Sequence, residues 1–218
     1  MKLNGTGLKV MQIINLMKKQ TYLQGNSLKI TTKYFYIFTI ISIFFSAHAE
    51  TKENWIIDKS ISSITFEVPV LLATNVLGEF KNFNGLVEID LKNNQNNKAI
   101  LSVEIESIQI NYSKYRDLIL SPIFFDLKNN PLCVIDTKKF SYTNETELVL
   151  DIELTLKGIS KKIKTELKVI KLTQNMVQIL GNLEFNRNDF NIGTGSWKNT
   201  SILKNKIKIN ANIFLIKE

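Results

Sequence analysis

The sequence predicts an all-β protein, an extended barrel of about eight antiparallel strands in hairpin order. Three observations carry that prediction: sustained alternation of apolar and polar residues after residue 50, polar turn clusters between the alternating runs, and no helical pattern long enough for a βαβ crossover. In chain order, Ile64, Phe66 and Val68 share a face opposite Thr65 and Glu67. Val87, Ile89 and Leu91 oppose Glu88 and Asp90, and Leu101, Val103 and Ile105 oppose Ser102, Glu104 and Glu106. The pattern continues through Leu148, Leu150, Ile152, Leu154 and Leu156, then Ile163, Leu167 and Val169, then Val177, Ile179, Leu183 and Phe185. It closes with Ile207, Ile209, Ala211, Ile213 and Leu215. Turn signals separate the runs at residues 93–97 ("NNQNN"), 143–145 ("TNE"), 157–158 ("KG") and 173–175 ("TQN").

One stretch breaks the rhythm. Residues 113–125, "SKYRDLILSPIFF", place Ser113 as a helix-start residue and Pro122 as a stop, which predicts one or two short helices covering an open end. Strands of about 10 to 12 residues at roughly 3.3 Å each, tilted by about 35 to 45°, make a barrel roughly 25 Å deep. A narrow apolar bore of that shape suits a long hydrocarbon chain. The competing expectation is an interior filled by its own side chains.

The formal charge of +8 is a local excess. Six lysines and no acidic residue lie in the first 49 positions, which leaves 22 basic against 20 acidic residues beyond them, a net of +2. That balance lacks the concentrated basic face that nucleic acid requires. The early stretch has the form of a secretory signal: a basic region, an apolar run at residues 34–45 ("YFYIFTIISIFF") and the small-x-small pair Ala47 and Ala49. The run is too short for a membrane-spanning helix. Cleavage after Ala49 is expected, leaving a periplasmic product of residues 50–218 with no stable transmembrane segment; Met17, followed by Lys18 and Lys19, is an alternative start.

The only histidine, His48, falls within the expected signal, so triad, imidazole-base and common zinc chemistry are closed to the mature chain. Carboxylate chemistry through Asp117 and Asp126 has no pairing that the sequence supports. No catalytic residue and no metal site are therefore assigned, and binding rather than catalysis is expected. The single cysteine, Cys133, sits in an alternating run as a buried small hydrophobe and has no disulfide partner in the chain.

Five segments carry a family resemblance. They are "WIIDKSISSITFEV" at 55–68, "GEFKNFNGLVEID" at 78–90, "YRDLILSPIFFD" at 115–126, "LTLKGISKKI" at 154–163 and "FNRNDFNIG" at 185–193. In this order they resemble the YceI-like family of secreted lipid-binding proteins across residues 55–215. The resemblance implies a lipocalin-like barrel holding a polyisoprenoid or similar amphiphile, isoprenoid quinones included, with its tail in the bore and its head near the mouth. It implies no cofactor other than that lipid. The chain departs from the family pattern at Val70 and Ile119, where the family commonly carries histidines, and at Ile123, where it carries an aspartate.

The bore candidates are Phe66, Val68, Phe80, Phe83, Val103, Ile105, Leu154, Leu156 and Phe185, with Phe124 and Phe125 closing an end. Arg116 is the head-group candidate, its competing role being an ion pair with Asp117 or Asp126. The expected partner is a hydrophobic lipid and not nucleic acid, with a homodimer left open. The alternatives to a lipid carrier or scavenger are a small outer-membrane barrel, whose apolar residues would face lipid, and a filled barrel serving the envelope in a stress or structural role. Girdle aromatics are not evident, and lysines would crowd the lumen of the former.

Overall fold

The computed structural model describes residues 52–218. The expected signal at 1–49, with His48 and the cleavage point after Ala49, lies outside the described residues. Eleven strand segments form one antiparallel sheet: β1 (Lys52–Ile57), β2 (Ser63–Val68), β3 (Val76–Phe80), β4 (Phe83–Asp90), β5 (Lys98–Glu104), β6 (Ile108–Ile110), β7 (Leu132–Asp136), β8 (Glu147–Leu156), β9 (Ile159–Lys171), β10 (Met176–Asn186) and β11 (Lys206–Lys217). Their order is β1-β4-β5-β7-β8-β9-β10-β11, and β11 pairs back onto β1 to close the barrel.

The eleven segments make eight barrel strands because each of the first three is interrupted. β11 pairs with β1 through residues 215–217 and with β2 through residues 208–212, so β1 and β2 are two halves of one bent strand. β3 and β4 are the halves of the next, broken at Lys81 and Asn82. β5 and β6 form the third, broken by a 3-10 turn at Ile105–Ser107. The breaks are held locally. Asp58 Oδ1 accepts from the Ser60 backbone N–H and hydroxyl, and Ser62 Oγ restores the ladder by accepting from Phe214 N–H at 2.8 Å. Asn82 Nδ2 donates to Glu104 Oε2 at 3.1 Å across the other two breaks.

Beyond β6 the chain leaves the sheet. A 3-10 turn, Ser113–Tyr115, leads into α1 (Arg116–Leu120), the only α-helix among the described residues. Ser113 opens the 3-10 turn without capping α1, which has no side-chain cap. The helix stops at Ser121, which is extended because it precedes Pro122. The segment then crosses the barrel end, and Ile105 N–H donates to Pro131 O at 2.9 Å as β7 begins. The expected short helix over an open end is thus present.

Inward residues alternate with outward ones along every long strand. Leu150, Ile152, Leu154 and Leu156 of β8 and Ile207, Ile213 and Leu215 of β11 are buried, while Lys164, Glu166, Lys168, Lys206 and Lys208 face out. The outer face also carries one apolar row in register across five strands: Met176, Ile216, Ile56, Leu86 and Ile100.

Candidate ligand-binding cavity

The barrel interior is not filled. A cavity of about 540 Å³ runs through it, walled by all eight strands and by the segments over one end. That volume falls in the range of about 300–1,000 Å³ typical of small-molecule sites. The space exists because several inward positions carry small side chains: Gly85 on β4, Ala99 on β5, Thr165 on β9, Gly181 on β10 and Ala211 on β11. Gly181 and Ala211 stand opposite one another in register, which thins the wall on adjacent strands. A Cβ at Gly181 would approach Leu167 Cδ2 to 2.8 Å, so this glycine also lets the leucine close over the wall.

Phe66, Val68, Phe80, Val103, Ile105, Phe124, Phe125, Leu154, Leu156 and Phe185 all lie on this wall. Alternation brings the strand residues to one interior, and the cross-over segment brings Phe124 and Phe125 to its end. Phe83 is placed differently. It is 2% exposed and packs against Ile64, Val103, Ile213 and Leu215, which line the cavity, without reaching the wall itself. Arg116 is also off the wall: its Nη2 donates to the Glu106 carbonyl at 2.6 Å, and it pairs with neither Asp117 nor Asp126.

The wall holds few polar atoms, and the fold satisfies the buried ones. Thr137 Oγ1 accepts from Ala99 N–H at 2.8 Å, Thr165 Oγ1 donates to Asn182 O at 3.2 Å, and Tyr112 donates to Thr74 O at 3.1 Å. No buried side-chain polar atom among the described residues is left without a partner. An occupant therefore meets hydrocarbon and saturated dipoles, conditions that favour an apolar chain over a sugar or a nucleotide. Cys133 is on the wall, and burial pushes its thiol up to about 12.

The one charged group on the wall is Arg187, which is 1% exposed. Its Nε donates to Lys204 O at 3.0 Å, Nη1 to Ile192 O at 2.9 Å, and Nη2 to Leu203 O at 2.9 Å and Asn199 O at 3.2 Å. Burial lowers its pKa. With its donors occupied by carbonyls, Arg187 ties the β10–β11 connection together and has little left to offer a ligand. Nothing local in "FNRNDFNIG" marks Arg187 for burial, since an arginine at a strand end is ordinarily exposed. Its burial is decided by the loop that folds over it.

The β8–β9 hairpin reaches the same end. Lys157 (φ 50°) and Gly158 (φ 72°) are both left-handed, as a two-residue reversal between Leu156 and Ile159 requires. Lys157 Nζ donates to Pro122 O at 2.7 Å and Asn191 O at 2.8 Å, which anchors the turn to both segments covering the cavity. Burial lowers its pKa.

Apolar residues inside and charges outside are the reverse of a membrane-spanning barrel, where the exterior band is apolar and the lumen polar. A lipid-facing role for the alternating residues is therefore not what this side-chain distribution serves.

The sequence profile of the YceI-like domain matches residues 55–215, from the first strand to the last. The chain belongs to the YceI-like family. Protein YceI of Escherichia coli O157:H7 is 25% identical over 134 residues, covering 61% of this chain and 70% of that protein. Among solved structures, Burkholderia cenocepacia BcnA superposes with a TM-score of 0.65 at 23% identity, covering 72% of this chain and 98% of that one. A polyisoprenoid binding domain from Saccharophagus degradans, implicated in plant cell wall breakdown, gives 0.62 at 13% identity, covering 75% and 98%. The fold is thus the YceI-like barrel. Val70 and Ile119 line the cavity at its covered end and add aliphatic surface there.

Proposed function

We propose that this YceI-like protein binds a long-chain polyisoprenoid or a similar amphiphile, an isoprenoid quinone included, in the barrel cavity. It does so as a periplasmic carrier or scavenger once the leader is removed after Ala49, and it works by binding rather than by catalysis. The observation that carries the reading is the cavity itself: about 540 Å³ of apolar wall whose buried side-chain polar atoms are already paired. The likeness to a polyisoprenoid binding domain supports the class of ligand, and the leader's composition supports the compartment.

Protein purified gently from its own host should carry a co-eluting polyprenyl lipid, detected by organic extraction and mass spectrometry. Leu154→Lys places an ammonium on the apolar wall and should abolish that lipid. The reading fails if native protein yields no lipid and added polyprenols do not bind.

A further inference from the structure

The covered end of the barrel ends in a tip built from three segments: residues 69–75, 111–115 and 194–205. The first two are joined by the Tyr112 hydroxyl on Thr74 O, and the first and third by Leu71 N–H on Ile202 O at 2.9 Å. Val70, Thr74, Tyr112, Tyr115, Trp197 and Ile202, drawn from all three segments, also line the cavity. The tip therefore belongs both to the cavity wall and to the outer surface.

Its outer surface is apolar in a way that packing does not explain. Leu72 is 98% exposed, Ile202 65% and Leu71 49%, and Tyr115 and Trp197 are exposed beside them. Leu72 also holds a left-handed backbone (φ 56°), a conformation where glycine or asparagine sits without strain. A leucine kept at such a position, wholly in water, costs the free protein and returns nothing to its fold. The same three segments carry Lys114, Lys198 and Lys204 and no carboxylate; Asp117 and Asp189 lie just outside them. Exposed leucines and an isoleucine, a tyrosine, a tryptophan and three lysines are the components that seat in a bilayer interface, with the cations at the phosphates.

We infer that this tip docks on an anionic lipid bilayer and sets the cavity mouth against the membrane. The inference rests on the lipid-carrier reading for its purpose, since a carrier must take cargo from a membrane or return it. The contact itself is separate from cavity filling and can be tested separately. Opposite charge favours anionic over neutral lipid, and the direct continuity between tip and cavity favours a bilayer over a protein partner.

The test is flotation of the full chain with phosphatidylglycerol-rich vesicles and with pure phosphatidylcholine vesicles. Wild type should bind the anionic vesicles at least about tenfold more tightly than the neutral ones. The double variant Leu71→Asp, Leu72→Asp, neither of which lines the cavity, should lose at least about tenfold in affinity for the anionic vesicles. The triple variant Lys114→Gln, Lys198→Gln, Lys204→Gln should bind the anionic vesicles more weakly than wild type and the neutral ones as wild type does. Lys138→Gln with Lys139→Gln, in the β7–β8 connection, should float as wild type does. The leader, basic and the same in every variant, adds equally to each of them, so docking by the tip is read from the differences among variants on one vesicle type. Wild type that does not float, or a double variant that floats as well as wild type, overturns the inference. Farnesol binding by each variant keeps the two proposals apart: a variant that loses vesicles but holds farnesol supports docking. Failure of wild type to bind both farnesol and longer polyprenols defeats the cavity reading and leaves the docking result standing.

Discussion

Cys133 shows how the apolar wall acts on a single group. Its thiol is pushed from an ordinary value of 9.0 to about 12 by burial alone, because the thiolate would have to exist among hydrocarbon. The native thiol thus holds its proton over a range where the unfolded chain releases it, so stability should fall as pH rises from 9 towards 12 and be unaffected below 9. At about pH 8.5, iodoacetamide should leave the native thiol untouched and alkylate it fully in urea, since the thiolate is the nucleophile. Equal rates in the two states would contradict the burial. That Cys133 is an inward small hydrophobe was legible from its alternating run. That it faces open space rather than packed core was not, because the space depends on small residues on other strands.

At the scale of elements, the informative feature is where pairing stops. β9 and β10 pair only through residues 166–171 and 177–182, and beyond Asn182 the two strands part. The turn at Arg187–Phe190 enters the wedge, burying Phe190 and Ile192 against Leu154 and Leu156, with Arg187 fastening it from within. Arg187→Met should leave several buried carbonyls unpaired at about 1–3 kcal/mol each. Urea denaturation should therefore show a loss of at least about 2 kcal/mol, with Arg187→Lys recovering less than half, since a point charge cannot span carbonyls that a planar fork reaches. Full recovery by lysine would reduce the role to charge. The hairpin at Lys157-Gly158 was legible because its turn chemistry is local. The three broken strands were not: β1 and β2 read as separate strands, and only their shared partner β11 shows them to be one.

For the whole molecule, the decisive property is that eight strands close around more volume than their side chains occupy. Ala211→Phe points a ring into that space. It should lower co-purifying lipid at least about tenfold while changing stability by no more than the roughly 1–3 kcal/mol of a moderately overpacked core. Unchanged lipid content in a folded variant would mean that the occupied region lies elsewhere. Seven of the ten candidates that reach the wall lie on strands, where alternation assigns a face with one residue's accuracy and a slip by one would have turned them outward. Phe83 has the same parity and still packs solidly, since large residues on neighbouring strands surround it.

The sequence by itself determined the all-β class, the inward face of each long strand, the cross-over segment with its short helix and, through five ordered segments, the family. Each of these rests on local periodicity or on residues close together in the chain. Only the tertiary structure decided the size of the cavity, the burial of Arg187 and the exposure of Leu72. Void volume and solvent contact are set by what strands and loops distant in sequence bring to the same place, and no one segment encodes them.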